Sequence, residues 1–220
     1  MRCVTQDIFC HIASGNVELE GDLCLPDDAD SIVVFAHGSG SSRHSPRNRF
    51  VAEALRRRGL GTLLFDLLTL REERLDMRSG AMRFDIDLLA GRLVAATEWL
   101  ADYEDTRHLR VGFFGGNTGA AAAFRAASHL PEKIGAIVSR GGRLDLSGGE
   151  LGQVDAPTLL IVGGDDLPVV EANRAAQSRF RGVNQLEVVP GASQLFEEPG
   201  ALDRVAALTC DWFARYLPAR

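Results

Sequence analysis

Apolar and polar positions change rhythm along this chain. Residues 4–13 and 17–24 alternate apolar and polar side chains around Gly15-Asn16, the period-two pattern of an antiparallel hairpin closed by a two-residue turn. Continuous apolar runs follow, "SIVVFAHG", "GTLLFD", "LRVGFFGG", "KIGAIVSRGG", "PTLLIVGGDD" and "QLEVVPG", each reading as a strand buried on both faces. Helical patterns separate them. Asn48–Arg58 places Phe50, Val51, Ala54 and Leu55 at helical spacing and stops at Gly59, and residues 81–103 read as one long amphipathic helix. "TGAAAAFRAASHL" is a helix of small residues, another helix starts at about Val169, and a closing helix covers 201–217. The charged stretch Leu67–Gly80, with Arg71, Glu72, Glu73 and Arg74, reads as a solvated loop, the alternative being a mobile excursion near the pocket mouth. Repeated β-α alternation after a hairpin predicts an α/β fold over 1–220, a single domain with a mostly parallel twisted sheet and helices on both faces.

Composition narrows the partners. A chain of 220 residues is long enough for one sizeable core. Its net charge of -6, with no basic block beyond Arg56-Arg57-Arg58, argues against nucleic acid. The four cysteines Cys3, Cys10, Cys24 and Cys210 are dispersed, which suggests reduced thiols and no metal site. No apolar run reaches the ~18 residues of a membrane span and the N-terminus has no leader pattern, so the expectation is a cytoplasmic protein without a membrane partner. Nothing in the pattern calls for a cofactor or sets an oligomeric state.

In open parallel sheets, ligands bind beyond the carboxyl ends of the strands, so the turns there carry the chemistry. After "SIVVFA" comes His37-Gly38-Ser39-Gly40, whose glycines let backbone N–H groups approach a ligand oxygen, as an oxyanion-hole loop requires. After "VGFFG" comes Gly116-Asn117-Thr118-Gly119, the glycine spacing of a nucleophile elbow, with the Thr118 N–H as second oxyanion donor. Gly163-Gly164-Asp165-Asp166 points to Asp166 as an acid, and Pro190-Gly191-Ala192-Ser193-Gln194 follows the last strand. Arg140 and Arg143, in "SRGGRLDL", could hold an anionic substrate group or pair with Asp145 or Asp166. His37 is read mainly as a prop for its loop, and both His37 and His44 as candidates to line the pocket.

Five motifs, "FAHGSGSSRHSPRN", "GFFGGNTGAAAA", "VSRGGRLDL", "PTLLIVGGDD" and "VPGASQLFEEPGAL", make the chain from about Ser31 to Leu217 resemble the α/β-hydrolases, specifically their dienelactone-hydrolase-like branch. The resemblance implies a Ser, Asp, His triad in that chain order. Here Asn117 stands at the serine position and Gln194 at the histidine position, leaving only Asp166. The five histidines are His11, His37, His44, His108 and His129, so none follows residue 129. Amides do not titrate near neutral pH and serve neither as nucleophile nor as base. The reading is a pseudohydrolase whose pocket is retained for a small carbonyl-bearing or ester-like molecule, with no appreciable esterase activity. Two alternatives stay open: an enzyme that needs no triad and polarises a carbonyl with Asn117, Gln194 and the oxyanion N–H groups, and an ester hydrolase whose triad positions have been altered or redesigned.

Overall fold

The opening hairpin folds where the period-two pattern places it. A computed structural model describes residues 5–217, so Cys3 and Val4 lie outside the described residues. Strand β1 (Thr5–Ser14) and β2 (Val17–Pro26) pair antiparallel around Gly15, whose φ of 61° suits the two-residue turn. The chain then alternates β3 (Ser31–Ala36), α1 (Pro46–Arg56), β4 (Gly61–Phe65), α2 (Leu70–Ser79), α3 (Ile86–Asp102), β5 (Arg110–Gly116), α4 (Thr118–His129), β6 (Ile134–Arg140), β7 (Thr158–Gly163), α5 (Leu167–Gln177), β8 (Asn184–Val189) and α6 (Ala201–Tyr216). These form one eight-stranded sheet in the order β1-β2-β4-β3-β5-β6-β7-β8, parallel from β4 to β8. β2 joins β4 antiparallel and so couples the hairpin to the parallel part.

Side chains of the central strands alternate between two apolar layers because a strand sends successive residues to opposite faces. Ile32, Val34 and Phe113 pack with Leu89, Leu93 and Phe124 of α3 and α4. Val33, Phe35 and Phe114 pack with Val51 and Leu55 of α1 and Phe213 of α6. Burial on both faces explains why these strands read as unbroken apolar runs. Cys10, Cys24 and Cys210 are buried free thiols within or beside these layers, and burial pushes each thiol up, to about 11 for Cys10 and about 12 for Cys24.

Three boundaries differ from the pattern. The stretch expected to be a solvated loop contains helix α2, started by a reciprocal cap in which the Glu72 N–H donates to Thr69 Oγ1 and the Thr69 N–H donates to Glu72 Oε2. Gly80, at φ 66°, ends it. Glu72 also accepts from the buried Arg92 guanidinium at 2.7 Å, which ties α2 to α3 and holds a polar helix with little apolar burial of its own. The predicted long helix over 81–103 is interrupted: residues 82–84 form a short 3-10 turn, and Asp85 caps a new start by accepting from the Leu88 N–H at 3.0 Å. Helix α1 begins two residues before Asn48, with Pro46 in its first turn behind Ser45, and it ends at Arg56.

Helix α4 lies against β3 and β5 more closely than ordinary side chains allow. Ala120, Ala121, Ala122 and Ala123 are all fully buried, and a Cβ on Gly119 would sit 2.2 Å from Ala36 O and 2.6 Å from His37 O. Gly91, in α3, has open space around it. Gly119→Ala should therefore destabilise the protein by ~3 kcal/mol or more, because neither carbonyl can move without shifting the sheet. Gly91→Ala should stabilise it by ~0.5–1 kcal/mol through helix propensity alone. Urea unfolding midpoints of the two variants check the opposite signs.

Candidate active site

The site forms where the loops after β3 and β5 press together. A Cβ on Gly38 would lie 2.9 Å from both Asn117 Cβ and Gly116 O, and one on Gly115 would lie 2.5 Å from Ala120 Cα. Only glycine allows such approach. Asn117 itself adopts φ 51°, ψ -119°, a conformation that costs a non-glycine residue on the order of 1–3 kcal/mol. It is held there by its neighbours: the Asn117 N–H donates to Arg140 O, and the Asn117 carbonyl accepts from the Arg143 N–H, both at 3.2 Å. This is the backbone shape of a strained strand-to-helix turn.

Both N–H groups that the sequence nominates as oxyanion donors are engaged within the chain. The Thr118 N–H donates to Asn117 Oδ1 at 2.7 Å, and the Ser39 N–H donates to the buried Thr118 hydroxyl at 3.0 Å. Asn117 is half-buried and its amide thus caps the first residue of α4. Asp166 and Gln194 stand on converging loops. Asp165 N–H donates to Ala192 O at 3.0 Å, and a Cβ on Gly163 would lie 2.4 Å from the carbonyls of Ala192 and Ser193, so the turn carrying Asp166 meets the turn carrying Gln194. Asp166 is half-exposed, Gln194 is exposed, and among the described residues no hydrogen bond joins either side chain to the other or to Asn117.

A cavity of about 650 Å³ opens beside this turn, lined by His37, Ser39, Arg47, Leu68, Met77 and Thr118 among others. Its outer wall is α2, which the pattern of the sequence left out; the signal for it was Thr69-x-x-Glu72, a capping pair three residues apart. A second element that the pattern left out is Arg43. Its guanidinium meets Asp66 and Glu20, and its backbone N–H donates to Asp66 Oδ1 at 2.7 Å, fastening the loop after β3 to β2 and β4.

The four candidate ligand-binding residues separate. His44 is exposed and lines the cavity, with Nδ1 2.9 Å from the Arg49 guanidinium. His37 also lines the cavity, yet neither ring nitrogen is available to a ligand. Its Nε2 accepts from the Leu67 N–H at 2.9 Å, so Nδ1 carries the proton and donates to Gly38 O at 3.1 Å. Arg143 is likewise committed, making a two-point pair with Asp145 at 2.7 and 2.8 Å in place of a substrate contact. Arg140 pairs with neither Asp145 nor Asp166. It ends β6 with its guanidinium 5.8 Å from the centre of the Phe114 ring, and its Nη2 would lie 3.0 Å from a Cβ on Gly116. Burial pulls that guanidinium down to about 10, with the charge of Arg47 adding to the effect.

Burial likewise lowers the pKa of His37 below the usual histidine range, because the charged form would lose water and its acceptor nitrogen at once. A depressed folded-state value means that the unfolded chain binds the extra proton first, so this contribution to stability is full above about pH 6.5 and is lost as pH falls through the lower folded value. Stability measured by urea between pH 7.5 and 5 should fall in wild type, and His37→Gln should flatten that part of the profile while lowering the pH 7.5 value by ~1–2 kcal/mol.

No family model matches the chain. Against solved structures, it is 54% identical to a dienelactone hydrolase from Anabaena variabilis, covering 97% of this chain and 99% of that one with a TM-score of 0.95. A dienelactone hydrolase-like promiscuous phosphotriesterase from metagenomic libraries shares the fold at 17% identity and a TM-score of 0.79, covering 97% of this chain and 99% of its own. Among curated proteins, one from Mycobacterium tuberculosis, provisionally named a phosphoribosyl transferase, is 56% identical over 212 residues, 96% of this chain. The chain spans about half the length of that relative, 47% of it. Among the described residues no helix is long and apolar enough to cross a membrane. With an elbow turn, a mixed eight-stranded sheet and a full-length match above half identity, the chain belongs to the dienelactone-hydrolase-like branch of the α/β-hydrolases.

Proposed function

We propose that this chain is a non-hydrolytic member of its family, a binding domain that keeps a small-molecule pocket beside a silenced elbow. The observation that carries this reading is the hydrogen bond from the Thr118 N–H to Asn117 Oδ1 at 2.7 Å. In a working acyl-transfer site that N–H is held ready for the developing oxyanion, and the residue before it supplies the nucleophile. Here the same residue supplies an amide that cannot attack and that occupies the donor. Gln194 offers no proton acceptor of useful basicity, and no histidine follows His129 to replace it. Without nucleophile and base, a site of this type retains at most the rate that binding and polarisation provide, several orders of magnitude below an intact triad. The occupied donors also weigh against carbonyl polarisation by a triad-free enzyme, because a ligand carbonyl would first have to displace Asn117 or Thr118 from their internal partners.

The transferase name of the Mycobacterium tuberculosis relative fits the remaining half of that protein better than this one. This chain matches a dienelactone hydrolase along 99% of that chain's length, so its fold is accounted for without a transferase. In that reading the family domain and a transferase domain act side by side in the longer relatives, and the pocket of this chain serves a ligand of the combined protein.

A panel of nitrophenyl esters tests the reading directly. Wild type should turn over at less than ~10⁻³ of the kcat/KM of an intact hydrolase, and Asn117→Ser or Gln194→His alone should change little. The double variant Asn117→Ser with Gln194→His, which restores nucleophile and base against Asp166, should gain ~100-fold or more over either single variant. Ordinary esterase turnover by wild type would overturn the proposal.

A further inference from the structure

Strand β1 ends the sheet, and among the described residues its outer edge is unpaired. It runs ten residues, about twice an ordinary strand, with no proline, no lysine and no register shift against β2, the devices that usually blunt an edge. The hairpin geometry says which groups that edge offers. A two-residue turn makes Ser14 and Val17 the hydrogen-bonded pair that closes the hairpin, so the even-numbered residues of β1 spend their N–H and C=O groups on β2. The next strand keeps the same parity: Glu20, opposite His11, turns its carbonyl away from β1 and accepts from the Asp66 N–H at 3.0 Å. Thr5, Asp7, Phe9, His11 and Ala13 therefore aim their backbone donors and acceptors outward.

The side chains of that row indicate what pairs with it. Asp7, Phe9, His11 and Ala13 are exposed on the face opposite the core layer that holds Cys10 and Ile12. Phe9, in the middle, is 56% exposed, with the Arg43 guanidinium 5.6 Å from its ring centre and the His11 ring edge-on at 5.1 Å. Asp7 and His11 flank it symmetrically, two residues to either side. Neither makes an ion pair among the described residues, and Glu20, which faces His11 from β2, is held by Arg43. A second copy running antiparallel, with Phe9 opposite Phe9, sets each Asp7 carboxylate opposite the other copy's His11 imidazole, which donates to it in either protonation state. Centring the pair on Asp7 or on His11 opposes like groups, and centring it on Ile8 or Cys10 leaves carboxylate and imidazole without each other. Matching odd with even residues would turn core-face side chains outward. One symmetric register is thus selected, and it also brings the half-buried Ile8, packed on the core layer, opposite Cys10 of the second copy.

We propose that the chain self-associates through β1 into a two-fold symmetric dimer, in which the sheet continues into that of a second copy with Phe9 on the axis. The contact uses the same patch on both copies and so closes at two. No residue of β1 lines the cavity beside the elbow, so the dimer contact is separate from the candidate site.

Sedimentation velocity of the whole chain, at concentrations up to ~100 µM, should show a species of twice the chain mass that grows with concentration. Phe9→Pro removes an N–H that β2 does not use, so it should leave the urea midpoint close to that of wild type while raising the dimer Kd by ~tenfold or more. His11→Asp opposes two carboxylates at each of two places and should also raise the Kd by ~tenfold or more. Adding Asp7→His to it exchanges the partners and should bring the Kd back to within about threefold of wild type. Phe9→Cys, gently oxidised, should form an interchain disulfide, because the axis holds its two Cα atoms ~5.5 Å apart. Ala13→Cys, whose copies stand ~27 Å apart in this register, should cross-link no more than wild type. If Phe9→Pro does not fold, His11→Asp and the exchanged pair decide the matter. A monomer over the whole range, which leaves the edge to a different partner, would overturn the proposal. So would a dimer indifferent to these substitutions, an exchanged pair that stays dissociated, or a Phe9→Cys chain that cross-links no better than Ala13→Cys.

Discussion

The geometry of this protein hangs on the contact between two backbones that have no side chains between them. Gly119 at the start of α4 faces the carbonyls of Ala36 and His37, and Gly38 faces Gly116 and Asn117. Because these are main-chain contacts at van der Waals distance, neither turn can relax without moving β3 or β5, the two strands at the centre of the sheet. The strained backbone of Asn117 is affordable only inside this vice. Once the turn is held, the hydrogen bonds that follow are short-range consequences: Asn117 to Thr118, Thr118 to Ser39, His37 to Leu67.

That hierarchy sets the shape of the elbow through its backbone and its glycines. The elbow is specified by glycines and by sheet register, which also serve folding. Asparagine at residue 117 fits this shape and adds a bond, since its amide satisfies an N–H that a helix start otherwise leaves open. Asp166 stands just before α5 at a half-exposed position, where a carboxyl group costs little. Arg140 is the opposite case. Its half-buried guanidinium lies over the Phe114 ring, and its Nη1 has no hydrogen-bond partner among the described residues.

Helix α2 shows how a wall of the site can form from residues that look like solvent-facing loop. Its polar composition gives it little intrinsic reason to fold, and the reasons it does fold are local caps and two buried ion pairs. Glu72 reaches Arg92 on α3, and the buried Asp76 accepts from the Met82 N–H at 2.7 Å and from the Arg83 side chain, with that hydrogen-bonded pair holding its carboxyl below the usual range against the cost of burial. Polar tethers of this sort leave a helix held at its ends and joints, not by an apolar seam.

The sequence by itself determined the strands, the topology class and the backbone shape of the elbow, because apolar runs, period-two alternation and glycine spacing are local signals read over a few residues. It also placed Asn117 and Gln194 in the turns after the fifth and eighth strands and left no histidine after residue 129, since these are matters of identity. Tertiary structure alone decided which polar groups have partners. Arg140 and Arg143 stand three residues apart in one motif, and nothing in their spacing distinguishes them; folding sets Arg143 against Asp145 and leaves Arg140 half-buried over Phe114, with no carboxylate in ion-pair distance among the described residues. The same holds for the Thr118 and Ser39 N–H groups, whose engagement depends on side-chain torsions and, for Ser39, on a residue of α4 79 positions further along the chain. Pairing is a property of distances across the fold, and a linear pattern carries no record of them.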